Sequence, residues 1–165
     1  AEQLLAKLDN GEIHFALIEG YFPSHKYEQL LYYTDSFICV CAKNHTFSQK
    51  VNHIEDLLNE RILIRETGSG TRDLLDSYLK TYNLSYTDFK NHLEIESISS
   101  IISLLKNDCG ISFLYRLSVE EELKNGSLKE IKIQNLPLHH DTTFLWNKNS
   151  VYSKQYKEIC KELIG

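Results

Sequence analysis

The sequence has little positive charge to spare: 18 Lys and Arg stand against 23 Asp and Glu in 165 residues, a formal net charge of −5. An acidic chain has no field of its own to hold DNA or an anionic membrane. It also lacks any run approaching the ~18–20 consecutive apolar residues that a bilayer-spanning helix needs. The first seven residues, Ala1-Glu2-Gln3-Leu4-Leu5-Ala6-Lys7, have neither the basic start nor the long apolar stretch of a signal peptide. Cysteine is sparse. Cys39 and Cys41 lie two apart in an apolar run, so on a strand they share a face, and Cys109 and Cys160 stand alone. With no CxxC pair and no histidines at ligand spacing, structural zinc is not expected, and buried, reduced thiols of a cytoplasmic protein are. The seven histidines are scattered, and His139-His140 reads as surface. No repeat or low-complexity segment is visible.

Apolar residues make up 42% and charged residues 25%, which places the chain among ordinary globular domains rather than disordered ones. Its hydrophobic pattern alternates. Helical spacing of Leu4, Leu5 and Leu8 predicts a helix over 3–8 that Asn10-Gly11 stops. Strands are expected at 13–18 and 37–42, the second apolar on both faces, as a strand covered on both sides would be. A short helix at 53–58 and a strand at 61–65 follow. The next helix runs to about Tyr82, with Leu74, Leu75, Tyr78, Leu79 and Tyr82 on one face. Further strands are expected at 93–96, 111–114, 128–133 and 142–147. Further helices are expected from Ile98 to near Asn107, from a Ser118/Glu121 capping box to Asn125-Gly126, and from near Ser153. Strands alternating with helices predict an α/β fold with a largely parallel sheet.

The sharpest chemical signal is Glu66-Thr67-Gly68-Ser69-Gly70-Thr71-Arg72, between a predicted strand and a predicted helix. Two glycines permit a tight turn, Ser69 and Thr71 offer hydroxyls, and the helix start presents unpaired N–H groups. Two readings stand side by side: a cradle for a small carboxylate or phosphate, or a Ser/Thr-capped helix start that binds only water. Similar strand-to-loop junctions occur at Ile18-Glu19-Gly20-Tyr21 and at Glu96-Ser97-Ile98-Ser99-Ser100, and in open α/β sheets such junctions gather where ligands bind. Nucleotide chemistry fails on details. There is no Gly-Lys-Ser/Thr, and Asp73 stands where a dinucleotide fingerprint needs its third glycine. Without a GxSxG or HExxH motif, and with no triad to assemble, no catalytic group, metal or cofactor is expected.

Four stretches, in order, resemble the effector-binding domain of LysR-type transcriptional regulators. They are residues 8–20 (LDNGEIHFALIEG), 62–72 (ILIRETGSGTR), 107–114 (NDCGISFL) and 119–128 (VEEELKNGSL). The resemblance implies a type 2 periplasmic-binding-protein fold, in which two α/β lobes joined by two crossover strands hold a small molecule between them. Residues 1–40 and 128–165 would form the outer lobe, and 41–127 the central lobe. The family's first strand–helix–strand of the outer lobe and its DNA-binding winged helix have no counterpart in these residues, so the likeness is to an N-terminally shortened domain. His14 stands where the family has Asp, and Tyr115 where Pro is common. Carried over, the ligand residues would be Thr67, Gly68, Ser69, Gly70, Thr71 and Ser97 from the central lobe and Glu19 and Gly20 from the other. Arg72 would meet either a ligand acid or a surface carboxylate. The implied partners are a carboxylate or amino-acid-like effector and a second copy of the chain, with DNA reached only through a preceding domain and no membrane. A transport receptor or an enzyme on the same fold are the alternatives.

Overall fold

The computed structural model describes residues 2–19 and 22–165. The chain divides into two compact units, Ala1–Asp35 with His139–Gly165, and Ser36–Leu138. The sequence placed these divisions at 40/41 and 127/128. The strand Leu128–Ile131 (β6) falls in the second unit because it pairs with residues 39–42 and buries Leu128 and Ile131 there.

The Ser36–Leu138 unit is built on the second half of a long strand, β2 (Tyr27–Ala42). On one edge β2 pairs antiparallel with β5 (Ile111–Tyr115), and on the other with β6. Beyond β5 lie β3 (Arg61–Ile64) and then β4 (Asn91–Glu94), and β3 runs parallel to both β4 and β5. The sheet is therefore mixed, not largely parallel. Short antiparallel pairings flank a parallel β5-β3-β4 set whose connections carry helices, as parallel neighbours require. Side chains of β2 alternate between the faces. Phe37, Cys39 and Cys41 pack with Ile62, Ile64 and the apolar stripe of α2 (Gly70–Lys80): Leu75, Tyr78 and Leu79. Ile38 and Val40 pack on the other face with Leu63 and with Ile101 and Leu105 of α3 (Ile98–Lys106). Every residue from Phe37 to Ala42 is buried, as the doubly apolar run predicted.

In the other unit, β1 (Ala16–Glu19) pairs antiparallel with β7 (Leu138–Asn147), which neighbours β2. Leu8 of α1 (Glu2–Asp9), Ala16, Ile18, Tyr27 and Leu145 form one core. Phe144, Trp146 and Cys160 of α5 (Ser153–Ile164) form another. Side chains close the helix ends onto strands: Tyr27 Oη donates to Asp9 at 2.7 Å, and Trp146 Nε1 to Ser153 Oγ at 2.9 Å.

Several elements depart from expectation. β2 begins at Tyr27, ten residues ahead of the predicted strand. Its first half is half-exposed, and Leu30-Leu31-Tyr32-Tyr33 there show no period-2 alternation to announce a strand. β4 lies two residues earlier than predicted, and all four of its residues are exposed, so burial gives its sequence no pattern. No Ser118 capping box forms. A 3₁₀ turn occupies Arg116–Val119, and α4 (Glu120–Asn125) starts on Val119 with no side-chain cap. Capping of that kind sits instead at Ser85, where Asp88 Oδ2 accepts from Ser85 N at 2.8 Å and Ser85 Oγ from Thr87 N at 3.3 Å.

Candidate functional site

The order β5-β3-β4 sets where the hydroxyl-bearing loops leave the sheet. From β3 the chain crosses to β4 through α2 on one face; from β4 it crosses back past β3 to β5 through α3 on the other face. Right-handed crossovers in opposite directions place their helices on opposite faces. The loops leaving β3 and β4 therefore turn toward opposite faces at the carboxyl edge of the sheet. The two loops start level, since Ile64 is paired with Glu94 and Ile95 N donates to Ile64 O at 2.8 Å. The β3 loop carries Thr67, Gly68 and Ser69 into α2. The β4 loop carries Ser97 into α3.

Details of the first loop separate the two readings of its sequence. Gly68 has φ +95°, a conformation that an L side chain adopts only with strain. Ser69 is the residue before the helix, yet its hydroxyl makes no capping bond; its carbonyl alone accepts, from Asp73 N at 2.9 Å. The first N–H groups of α2 have no partner within the helix. Ser97 differs, because its Oγ accepts from Ser100 N at 3.3 Å and shares a 2.8 Å hydrogen bond with Ser99 Oγ. One loop is thus a capped helix start and the other is not capped by its serine. Beside the uncapped start, Arg65 holds Glu66 through two bonds of 2.8 and 2.9 Å. That contact keeps the Glu66 carboxyl below its usual range, so it stays ionised and paired.

Arg72 meets two partly exposed carboxylates, Asp76 and Glu94. It is buried at 6% exposure, with Nε on both oxygens of Asp76 (3.2 and 3.0 Å) and Nη1 on Arg65 O (2.9 Å) and Glu94 Oε2 (3.3 Å). The ring of Tyr86 lies 4.4 Å from its guanidinium carbon. Glu19 ends β1 in the other unit, with its Oε1 3.0 Å from His140 Nδ1; Gly20 lies outside the described residues. Thr67, Gly68, Ser69, Gly70, Thr71 and Ser97 gather along one edge of one unit. Sequence reasoning missed Asp76, Tyr86, Glu94 and Ser99. Asp76 was legible as the i+4 partner of Arg72, whereas Glu94 joins them only through the β3/β4 register. Among the described residues, no group of three or more His, Cys, Asp or Glu is placed to hold a metal ion. Nor is any helix there long and apolar enough to cross a membrane.

The family model of the LysR substrate binding domain matches residues 1–163, and the chain belongs to that family. It is 28% identical over 160 residues to a probable RuBisCO transcriptional regulator of Chlorokybus atmophyticus, covering 94% of this chain and 51% of that protein. A protein of the same description from Gracilaria tenuistipitata var. liui is 26% identical over 159 residues, with 94% and 52% covered. The chain thus spans about half the length of the curated relatives it matches. Among solved structures it is similar to the regulatory domain of CcmR from Synechocystis PCC6803 in complex with 2-PG, with a TM-score of 0.71 and 19% identity over 99% of this chain and 79% of that one. The reduced regulatory domain of OxyR2 from Vibrio vulnificus gives 0.67 and 19%, over 99% and 76%. These likenesses show the periplasmic-binding-protein-like fold.

Proposed function

We propose that this chain is the ligand-sensing part of a LysR-type transcriptional regulator, working in the cytoplasm. It takes a small anionic or zwitterionic metabolite at the crevice between the β3 and β4 loops. The observation that carries the reading is the uncapped start of α2, where the Ser69 hydroxyl makes no capping bond and the first N–H groups have no helical partner. Thr67, Ser69 and Thr71 with the backbone of Gly68 and Gly70 form the anion side, and Ser97 adds a hydroxyl from the second loop. Glu19 and Gly20 enter through the family resemblance, with Glu19 disfavouring a second negative charge, so a monocarboxylate or an amino acid is preferred to sulfate or a dicarboxylate. The ligand acts by its differential affinity for two arrangements of the domain. In the full-length protein that difference reaches DNA through a winged helix, and two copies of the chain associate. The relatives described as transcriptional regulators support this reading over a transport receptor.

Calorimetric titration of the chain with acetate, a panel of amino acids, a dicarboxylate series and 2-PG tests the proposal. Replacing Thr67 and Ser69 together with Ala is expected to cost about 1–3 kcal/mol of binding, the scale of hydrogen bonds to a charged group. Affinity unchanged in that double variant removes the cradle from the site.

A further inference from the structure

Resting on that crevice, we propose that Arg72 is a positioning residue: it holds the end of β4, and with it Ser97, against the loop that carries Ser69, and does not touch the effector. β4 is an edge strand whose ladder partner is β3. All four of its residues are exposed, so no buried side chain anchors it in the core. Beyond the Ile95–Ile64 bond, Ser97 follows within two residues and starts α3. At that point Arg72 reaches out of the first turn of α2 and closes three sides. Its Nη1 takes the Arg65 carbonyl, which leaves β3, and the Glu94 carboxylate, which ends β4. Its Nε takes Asp76 on its own helix, and Tyr86 covers its face.

The planar fork of arginine can serve these acceptors together and still stack on a ring, which a lysine ammonium cannot. A guanidinium so enclosed, in a residue 6% exposed, has no surface left for a ligand. What it governs is the gap between the two hydroxyl loops. Asp76 supplies an internal control, since its bond to Arg72 stays within α2 and spans no gap.

Native-state amide exchange of the whole chain tests this without any ligand. Arg72→Gln and Glu94→Gln are each expected to speed exchange at Ile95 and Ser100 by about two- to fivefold, the scale of one partly exposed ion pair. The double variant is expected to go no further than Arg72→Gln alone. Asp76→Asn should match the unaltered chain at these two amides, and amides of Ile111–Tyr115 should hold in all variants. Three results overturn the inference: Glu94→Gln without effect at Ile95, additive effects in the double variant, or uniform acceleration that includes β5. A titration with acetate, followed at the Thr71 and Ser99 amides, then separates this inference from the reading it rests on. Weaker acetate binding in Arg72→Gln but not in Glu94→Gln means that Arg72 touches the ligand, and the inference fails. If the unaltered chain shows no acetate response and none to the wider panel, the effector reading fails, while the exchange result still decides the role of Arg72.

Discussion

Gly68 and Gly110 are both glycines of necessity, for different reasons. A Cβ on Gly68 would meet nothing within 4 Å, but the backbone sits at φ +95°. Gly68→Ala is therefore expected to cost about 1–2 kcal/mol, the strain of one left-handed residue. At Gly110, φ is +154° and a Cβ would lie 2.5 Å from the carbonyl oxygen of Arg61, where β3 and β5 start side by side. That oxygen is backbone and cannot swing aside, so Gly110→Ala is expected to cost about 3 kcal/mol or more. Urea midpoints for the two variants, with unchanged m-values, check both figures. The sequence marked Gly68 for its tight turn, whereas the close approach at Gly110 is a tertiary fact that no local pattern contains.

Titration at high pH is a second residue-scale consequence. Burial, followed by the hydrogen bond to Asp9, pushes the Tyr27 phenol from 10.0 up to about 12. Burial pushes the Cys41 thiol from 9.0 up to about 12. In both cases the folded chain holds its proton more tightly than the unfolded one. The stabilisation is full below the unfolded value and is lost as pH rises through the folded value. Unfolding free energy is expected to be insensitive to these groups below pH 9 and to fall steadily from 9 to 12. Tyr27→Phe should flatten the part of that slope above pH 10. A denaturant series at half-unit pH steps reads both effects.

At the scale of elements, the two helix starts at the crevice make opposite demands on their serines. Ser97→Ala removes a capping bond from α3 and is expected to cost about 1 kcal/mol of stability. Ser69 caps nothing with its side chain. Ser69→Ala is expected to leave stability within about 0.5 kcal/mol of the unaltered chain, the ordinary range for a site without such a feature. Thermal unfolding of the pair, measured without ligand, decides the matter, and an equal loss in both means that Ser69 is a cap after all. Sequence reasoning reached the elements that obey a period. α2 and α3 carry clean 3.6-residue stripes, and residues 37–42 are apolar throughout. It missed the first half of β2, where burial alternates along Glu28–Tyr33 but Leu30-Leu31 and Tyr32-Tyr33 put like residues on both faces, so the sequence does not alternate with it. It misplaced β4, whose four residues are all exposed. The mixed direction of the sheet was invisible because pairing sense depends on where the chain returns, not on local spacing. The turn at 66–72 was legible as a motif. Its split from the capped Ser97 turn was not, since both sequences offer hydroxyls at a helix start.

On the scale of the whole molecule, charge and composition speak to partners. With a net charge of −5, these 165 residues are expected to give no sequence-selective shift of DNA at physiological salt, and tight, selective binding would remove the assignment of that role to a preceding domain. The two compact units differ in how the chain supplies them. One is a single stretch, Ser36–Leu138, within which β2 finds its partners in β5 and β6 rather than in β3. The other joins Ala1–Asp35 to His139–Gly165, and its β1 finds its ladder partner only in β7. On a ribosome these two assemblies have different clocks. The continuous unit can close once its own residues through Leu138 have emerged, whereas Ala16 and Ile18 wait for Leu145, made after that whole stretch. During that interval the leading segment carries unpaired strand and uncovered apolar side chains, the condition under which nascent chains aggregate or engage chaperones. The order of synthesis thus lets the split unit close only after all residues of the continuous one have been made.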